Sequence, residues 1–212
     1  MPIKTDFSKQ LKEATSSIHT AVESHPFMKK LLDGSLDEKC YHQHLIDLES
    51  VYRALEEGIR KSLKKESNLS TVYVKELERA DAIQQDLQSA TFAALKASPS
   101  PAAQEYVKHL NYLATHHPLL LLAHAYVRYL GDLSGGMILK KRIEQKWPDA
   151  VHFYDFSALI EKAKQKAFSF KESYKDKLDD LPLTANDIQA LVNEAHLAFE
   201  KAQSLFDAIP LN

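Results

Sequence analysis

AHAYVRYLGDLSGGMILKKR, residues 123 to 142, is apolar-periodic at both ends and rich in glycine in the middle. The chain has 5 glycines, and Gly131, Gly135 and Gly136 fall in this stretch. Each glycine inside a helix costs roughly 0.5–1 kcal/mol relative to alanine. Together they cost about 2–3 kcal/mol, a sizeable part of a typical stability of about 5–15 kcal/mol. The apolar flanks still read as one helix, expected to continue through the glycines with a kink. Gly131 and Gly135 are four apart and share a helix face. A face without side chains lets something flat approach the backbone. Close helix packing would use glycine in the same way. Asp132 and Ser134 in the same turn argue against it, because polar groups buried at a packing seam are costly.

The rest of the chain is also helical in pattern. Residues 9–28, 37–65, 72–96, 101–116, 118–147, 156–178 and 184–208 carry apolar residues at spacings of three and four. Leu45, Leu48, Val51, Tyr52, Leu55 and Ile59 form one clear stripe. The breaks LLDGS, KESNLS, ASPSPA, HHP, WPD and LPLT are rich in turn and capping residues. Thr184 followed by Asp187 reads as a capping box with a shortened acid. No strand alternation competes and no repeat occurs. The expectation is an all-α fold in a single domain, residues 1–212.

Composition agrees with a soluble globular chain: 212 residues, 44% hydrophobic and 26% charged, with a formal net charge of -2. Nothing global points to nucleic acid. Cys40 is the one cysteine, so no intramolecular disulfide can form and stability does not depend on an oxidising compartment. The opening MPIKTDFSKQ does not read as a signal peptide, and the longest apolar stretch, Leu119 to Val127, is too short for a bilayer. A cytoplasmic monomer without a membrane anchor is expected.

The first helical segment contains LKEATSSIHTAVE. Lys12, His19 and Glu23 stand at i, i+7 and i+11, along one face. A histidine among Ala14, Ile18 and Val22 is more often a core residue than a ligand. Glu23 one turn away changes that balance. It can hold one ring N–H and so fix the tautomer that offers the other nitrogen to a metal.

These two segments together carry a resemblance. KEAT-x-x-I-H-T-x-x-E at 12–23 and AHAY-x-RYLGDLSGG at 123–136 resemble the proximal and distal helices of the heme oxygenases. VYRALEE at 51–57, ERADAIQQDL at 78–87 and FKESYKDKL at 170–178 extend the likeness over nearly the whole chain. The resemblance implies a helical bundle holding heme, both cofactor and substrate, between the first helix and the kinked glycine-rich helix. It implies His19 as the iron ligand, with Glu23 behind it. It implies Asp132 as the organiser of distal water that supplies a proton, with Tyr52, Arg128 and Tyr129 nearby. Gly131, Gly135 and Gly136 would admit the ring. Lys12, Tyr126, Lys171 and Lys175 would meet its propionates. Met28, Leu31, Phe199 and Phe206 would wall it, although plain core serves equally well for Phe206. The reaction implied uses O2 and electrons from a flavoprotein or ferredoxin reductase, and yields biliverdin, carbon monoxide and ferrous iron. Two positions depart from the family pattern. Lys175 replaces an arginine common in mammalian members, which exchanges a planar fork for a point charge. Met137 replaces a frequent glutamine.

Other functions compete. A non-catalytic heme-storage or heme-sensing protein would need His19 and the lysines but not Asp132. A di-iron protein needs Glu-x-x-His pairs, and the sequence has none. A thiaminase-like hydrolase would need Cys40 as nucleophile, and its acidic neighbours would not activate it. His42, His44, His116 and His117 are a weak zinc candidate by spacing. Lys140, Lys141, Arg142 and Lys146, with Lys171, Lys175 and Lys177, suggest a basic docking face for an acidic electron donor, though a solvated helix end explains such cations too.

Overall fold

The computed structural model describes residues 6–163 and 167–211, and of residues 137, 162, 163, 167 and 168 the backbone alone. Among the described residues there are ten α-helices and no strand: α1 Phe7–Glu23, α2 Pro26–Asp33, α3 Glu38–Ser62, α4 Ser67–Val72, α5 Ala80–Leu87, α6 Pro101–His116, α7 Leu121–Lys146, α8 Ser157–Ala163, α9 Ala167–Asp179 and α10 Ala185–Asp207. None is long and apolar enough to cross a membrane.

Three expected helices divide. The 9–28 segment is broken before Pro26, which takes the first turn of α2 while the His25 ring accepts the Phe27 N–H as its cap. The 72–96 segment becomes a 3-10 turn Lys75–Leu77 and the short α5, and the expected break KESNLS instead runs into the short helix α4. Here long-range contacts override helical periodicity. The buried carboxylate of Glu56 on α3 accepts the Arg79 and Ala80 N–H groups and so fixes the start of α5. Beyond α5, Asp149 accepts the Thr91 N–H and hydroxyl. The 156–178 segment becomes α8 and α9. Elsewhere the pattern holds: α6 keeps its expected bounds, and α10 starts on the Thr184–Asp187 capping box.

The helix α3 carries the core. Its stripe residues Leu45, Leu48, Val51, Tyr52 and Leu55 are fully buried, and it packs along α5 and α6. On the other side α10 packs against both α1 and α7. Tyr41 of α3 stacks on Trp147 just past α7, ring centroids 4.6 Å apart. The glycine segment stays helical throughout α7. These contacts hold α1, α7, α9 and α10 around one cleft.

Candidate active site

The cleft has a volume of about 400 Å³. One wall is α1, contributing Lys12, Thr15, Ser16, His19 and Thr20. The facing wall is α7, with Tyr126, Val127, Leu130, Gly131 and Ser134. Lys171 and Lys175 of α9 and Phe199 of α10 complete it. Seven residues singled out from the sequence therefore meet here: Lys12, His19, Tyr126, Gly131, Lys171, Lys175 and Phe199.

His19 is half exposed and points into the cleft, with its ring edge-on to Phe199 at 5.7 Å between centroids. Its Nδ1 faces Glu23 Oε2 at 3.5 Å, which leaves Nε2 as the nitrogen available to a ligand. The hydroxyls of Thr15, Ser16 and Thr20 are bonded back to carbonyls of α1 itself. The α1 wall thus offers little free polarity besides Lys12 and His19. Sequence reading overlooked these three residues, although their spacing with 12, 19 and 23 continues the same helix face. Lys171 donates to Ser134 Oγ at 3.2 Å across the cleft, and Lys175 to Glu172 at 2.7 Å. Burial pushes the Tyr126 hydroxyl pKa up, so it enters the cleft as a neutral donor.

The three glycines separate. A Cβ on Gly131 would meet nothing within 4 Å, and one on Gly135 only the Leu139 side chain at 3.8 Å. A Cβ on Gly136 would stand 3.3 Å from Phe156 and 3.5 Å from Tyr154. Gly136 is therefore a packing glycine turned from the cleft, and its expected contact with a ring is corrected. Gly135 is not among the cleft-lining residues. Neither is Met28, which packs on the core, nor Leu31, which lies inside it. Phe206 stacks on Phe27 at 4.9 Å and is core as well.

Asp132, Tyr52 and Arg128 form a second group, between α7 and α3. The buried Tyr52 hydroxyl donates to Asp132 Oδ2 and accepts from Arg128 Nε at 3.2 Å. Arg128 also lies over the Tyr52 ring, 5.1 Å from its centroid. Burial raises the Asp132 pKa, opposed by the Arg128 charge, the Tyr52 hydrogen bond and the Arg79 charge. Burial works against the charge of Arg128, but Tyr52 and Asp132 hold it firmly protonated. Tyr129 is buried next to Tyr52, 6.1 Å between centroids, and its hydroxyl has no hydrogen-bond partner among the described residues.

The chain matches the family model described as heme oxygenase over residues 5–208. A heme oxygenase of Guillardia theta is 35% identical over 96% of this chain and 86% of its own length. The solved heme oxygenase of Leptospira interrogans superposes with a TM-score of 0.86 at 33% identity, covering 95% of this chain and 98% of that one. The chain belongs to the heme oxygenase family. Heme oxygenase-1 of Synechocystis, solved in complex with heme, has a TM-score of 0.85 at 34% identity and covers 96% of this chain and 91% of its own.

Membership of the heme oxygenases leaves the rival sites without support, and the geometry agrees. The Cys40 thiol donates to the Pro210 carbonyl at 3.3 Å, and burial followed by the Asp37 charge raises its pKa. The four zinc-candidate histidines do not converge. His42 and His44 are buried against Phe92 and Phe27, whereas His116 and His117 are exposed next to Tyr112. The basic face is smaller than expected. Lys146 caps the Gly34 and Leu36 carbonyls, and Lys140 is paired with Asp155 at 3.1 Å.

Proposed function

We propose that this chain binds heme in the α1–α7 cleft through His19 and catalyses its oxidative opening to biliverdin, carbon monoxide and ferrous iron. The observation that carries this reading is one cleft bounded by a half-exposed imidazole on α1 and by bare backbone at Gly131 on α7. Its volume lies in the usual range for small-molecule and cofactor sites. A flat, largely apolar dianion fits such walls, with Lys12, Lys171 and Lys175 at the rim to meet its carboxylates. The family supplies the reaction class. Bound heme provides the redox iron and is also the ring consumed.

The protein's own tasks follow. His19 offers Nε2 while Glu23 steadies Nδ1, and Gly131 keeps the facing helix clear of any competing ligand. Asp132 does not reach into the cleft, so its role is to organise water and pass a proton through it. Tyr52 and Arg128 hold that carboxylate in place. The electrons come from a reductase, and the protein works as a monomer; of the four cations late in α7, Lys141 and Arg142 have the fewest internal ties. The Asp132 group, unneeded for storage, favours an enzyme over a heme carrier.

Optical titration tests the reading. Added heme gives a histidine-ligated Soret spectrum that, with a reductant and O2, decays to biliverdin absorption. His19→Ala loses the histidine-ligated spectrum and turnover, and added imidazole restores part of both. A variant spectrum identical to wild type overturns the ligand assignment. Heme that binds and survives every reductant overturns the enzymatic reading.

A further inference from the structure

We infer that His109, His124 and Glu194 form a binding site for a zinc-class divalent cation, separate from the heme cleft. Three helices bring these residues together: α6 supplies His109, α7 His124 and α10 Glu194. Their candidate donor atoms all lie within 4.8 Å of one another, the one such group of three among the described residues. Glu194 Oε1 stands 2.6 Å from His109 Nε2 and 2.8 Å from His124 Nε2. Donors around a tetrahedral zinc at about 2.1 Å are about 3.4 Å apart, so small side-chain rotations open this triangle around an ion.

Two further features favour a cation over a hydrogen-bonded triad alone. Two histidines and one carboxylate make a borderline-hard donor set suited to zinc, cobalt or nickel. Behind the triad, Tyr106 OH meets His124 Nδ1 at 2.8 Å. In the metal-free state the Tyr106 hydroxyl donates a hydrogen bond to Nδ1 and the His124 Nε2–H donates one to Glu194 Oε1. When Nε2 takes the cation, the ring proton sits on Nδ1, and the same hydroxyl accepts a hydrogen bond from Nδ1–H. Tyr106 is thus a positioning residue in both states. His124 is fully buried while the His109 side chain keeps 22% exposure, so entry and a fourth, water position lie on the His109 side. The nearby Lys201 ammonium, 5.8 Å from the centre of the Tyr106 ring, disfavours weak cations and restricts the site to strongly bound ones.

Cobalt(II) titration of chelator-stripped, heme-free protein provides the test. Wild type takes up one equivalent, develops the visible d–d absorption of a tetrahedral site, and yields it to zinc. Zinc raises the melting temperature by roughly 5 °C at saturation. Losing one outer partner commonly weakens a metal site by about 10–100-fold, so Tyr106→Phe falls in that range and loss of a ligand exceeds it. His109→Gln, at the exposed rim, abolishes the absorption and the melting shift while circular dichroism and heme binding stay unchanged. Glu194→Gln does the same if folded. The double variant His116→Gln, His117→Gln behaves as wild type. Absence of both signals in wild type, or their persistence in His109→Gln, overturns the site.

Discussion

Asp132 and Arg128, one turn apart on α7, meet at the Tyr52 hydroxyl. The chain of bonds has a direction. Arg128 donates to Tyr52, and Tyr52 donates to Asp132, so each bond polarises the next. The carboxylate is held as an acceptor although its burial favours the neutral form. Asp132→Ala is expected to keep His19-ligated heme and to lose about 100-fold or more in biliverdin formation, the scale of a positioned proton-transfer group. With hydrogen peroxide it should gain peroxidase activity. Asp132→Asn changes in the same direction, because an amide holds water but cannot carry the proton. Tyr52→Phe frees the carboxylate without removing it, and its loss should be smaller. Stopped-flow spectra resolve all three, and an Asp132→Ala variant turning over at the wild-type rate would sink the proposed role. The family likeness pointed to all three residues. It could not reveal the bond itself, because Tyr52 lies 80 residues from Asp132 and only the packing of α3 on α7 joins them.

At the scale of elements, the glycines of α7 divide into two kinds that the sequence presents alike. Gly131→Ala adds a methyl group into open space and gains helix propensity, about 1 kcal/mol. The heme-free protein should therefore melt higher, while heme affinity falls because the new group stands where the ring is proposed to lie. Gly136→Val drives its side chain into Phe156 and Tyr154, and overpacking of this kind costs about 1–3 kcal/mol. Thermal melts with and without heme separate the two. Equal destabilisation by both would mean that Gly131 is also a packing residue. This division marks the limit of what was legible. Periodicity located α3, α6, α7 and α10 because each buries a continuous apolar stripe. It carried one helix through 72–96 because the bounds of α5 rest on Glu56 and the turn after it on Asp149, partners distant in sequence, and it read KESNLS as a break where α4 forms. The Lys12, His19 and Glu23 face was readable from spacing, whereas its pairing with Gly131 depended on the family likeness.

Across the whole molecule, two buried groups pull the stability in opposite directions with pH. Burial, reinforced by the Arg128 charge, lowers the His44 pKa from 6.5 to about 3. Between those values the unfolded chain carries the proton and the folded one does not, so stability falls as pH drops below 6.5. Glu56 is the reverse case. Burial raises its pKa from 4.5 to about 7, against the Arg79 and Ala80 N–H bonds, with Glu78 raising it further and Arg60 lowering it. Here the folded state keeps a proton that the unfolded state has lost, so stability is full below 4.5 and falls as pH rises through about 7. From pH 4.5 to 6.5 each group has a slope of up to about 1.4 kcal/mol per pH unit, and the two nearly cancel. Single variants should uncover them. Glu56→Gln retains an oxygen to cap α5 but cannot titrate, so relative to wild type its stability should climb with pH across that window. His44→Leu removes a ring whose Nδ1 has no partner among the described residues, and its relative stability should decline with pH across the same window. The double variant should restore a profile parallel to wild type between pH 4.5 and 6.5. Urea unfolding of the heme-free protein at half-unit pH steps gives the slopes directly. Profiles parallel to wild type in both single variants would show that neither group stays buried in its unusual charge state.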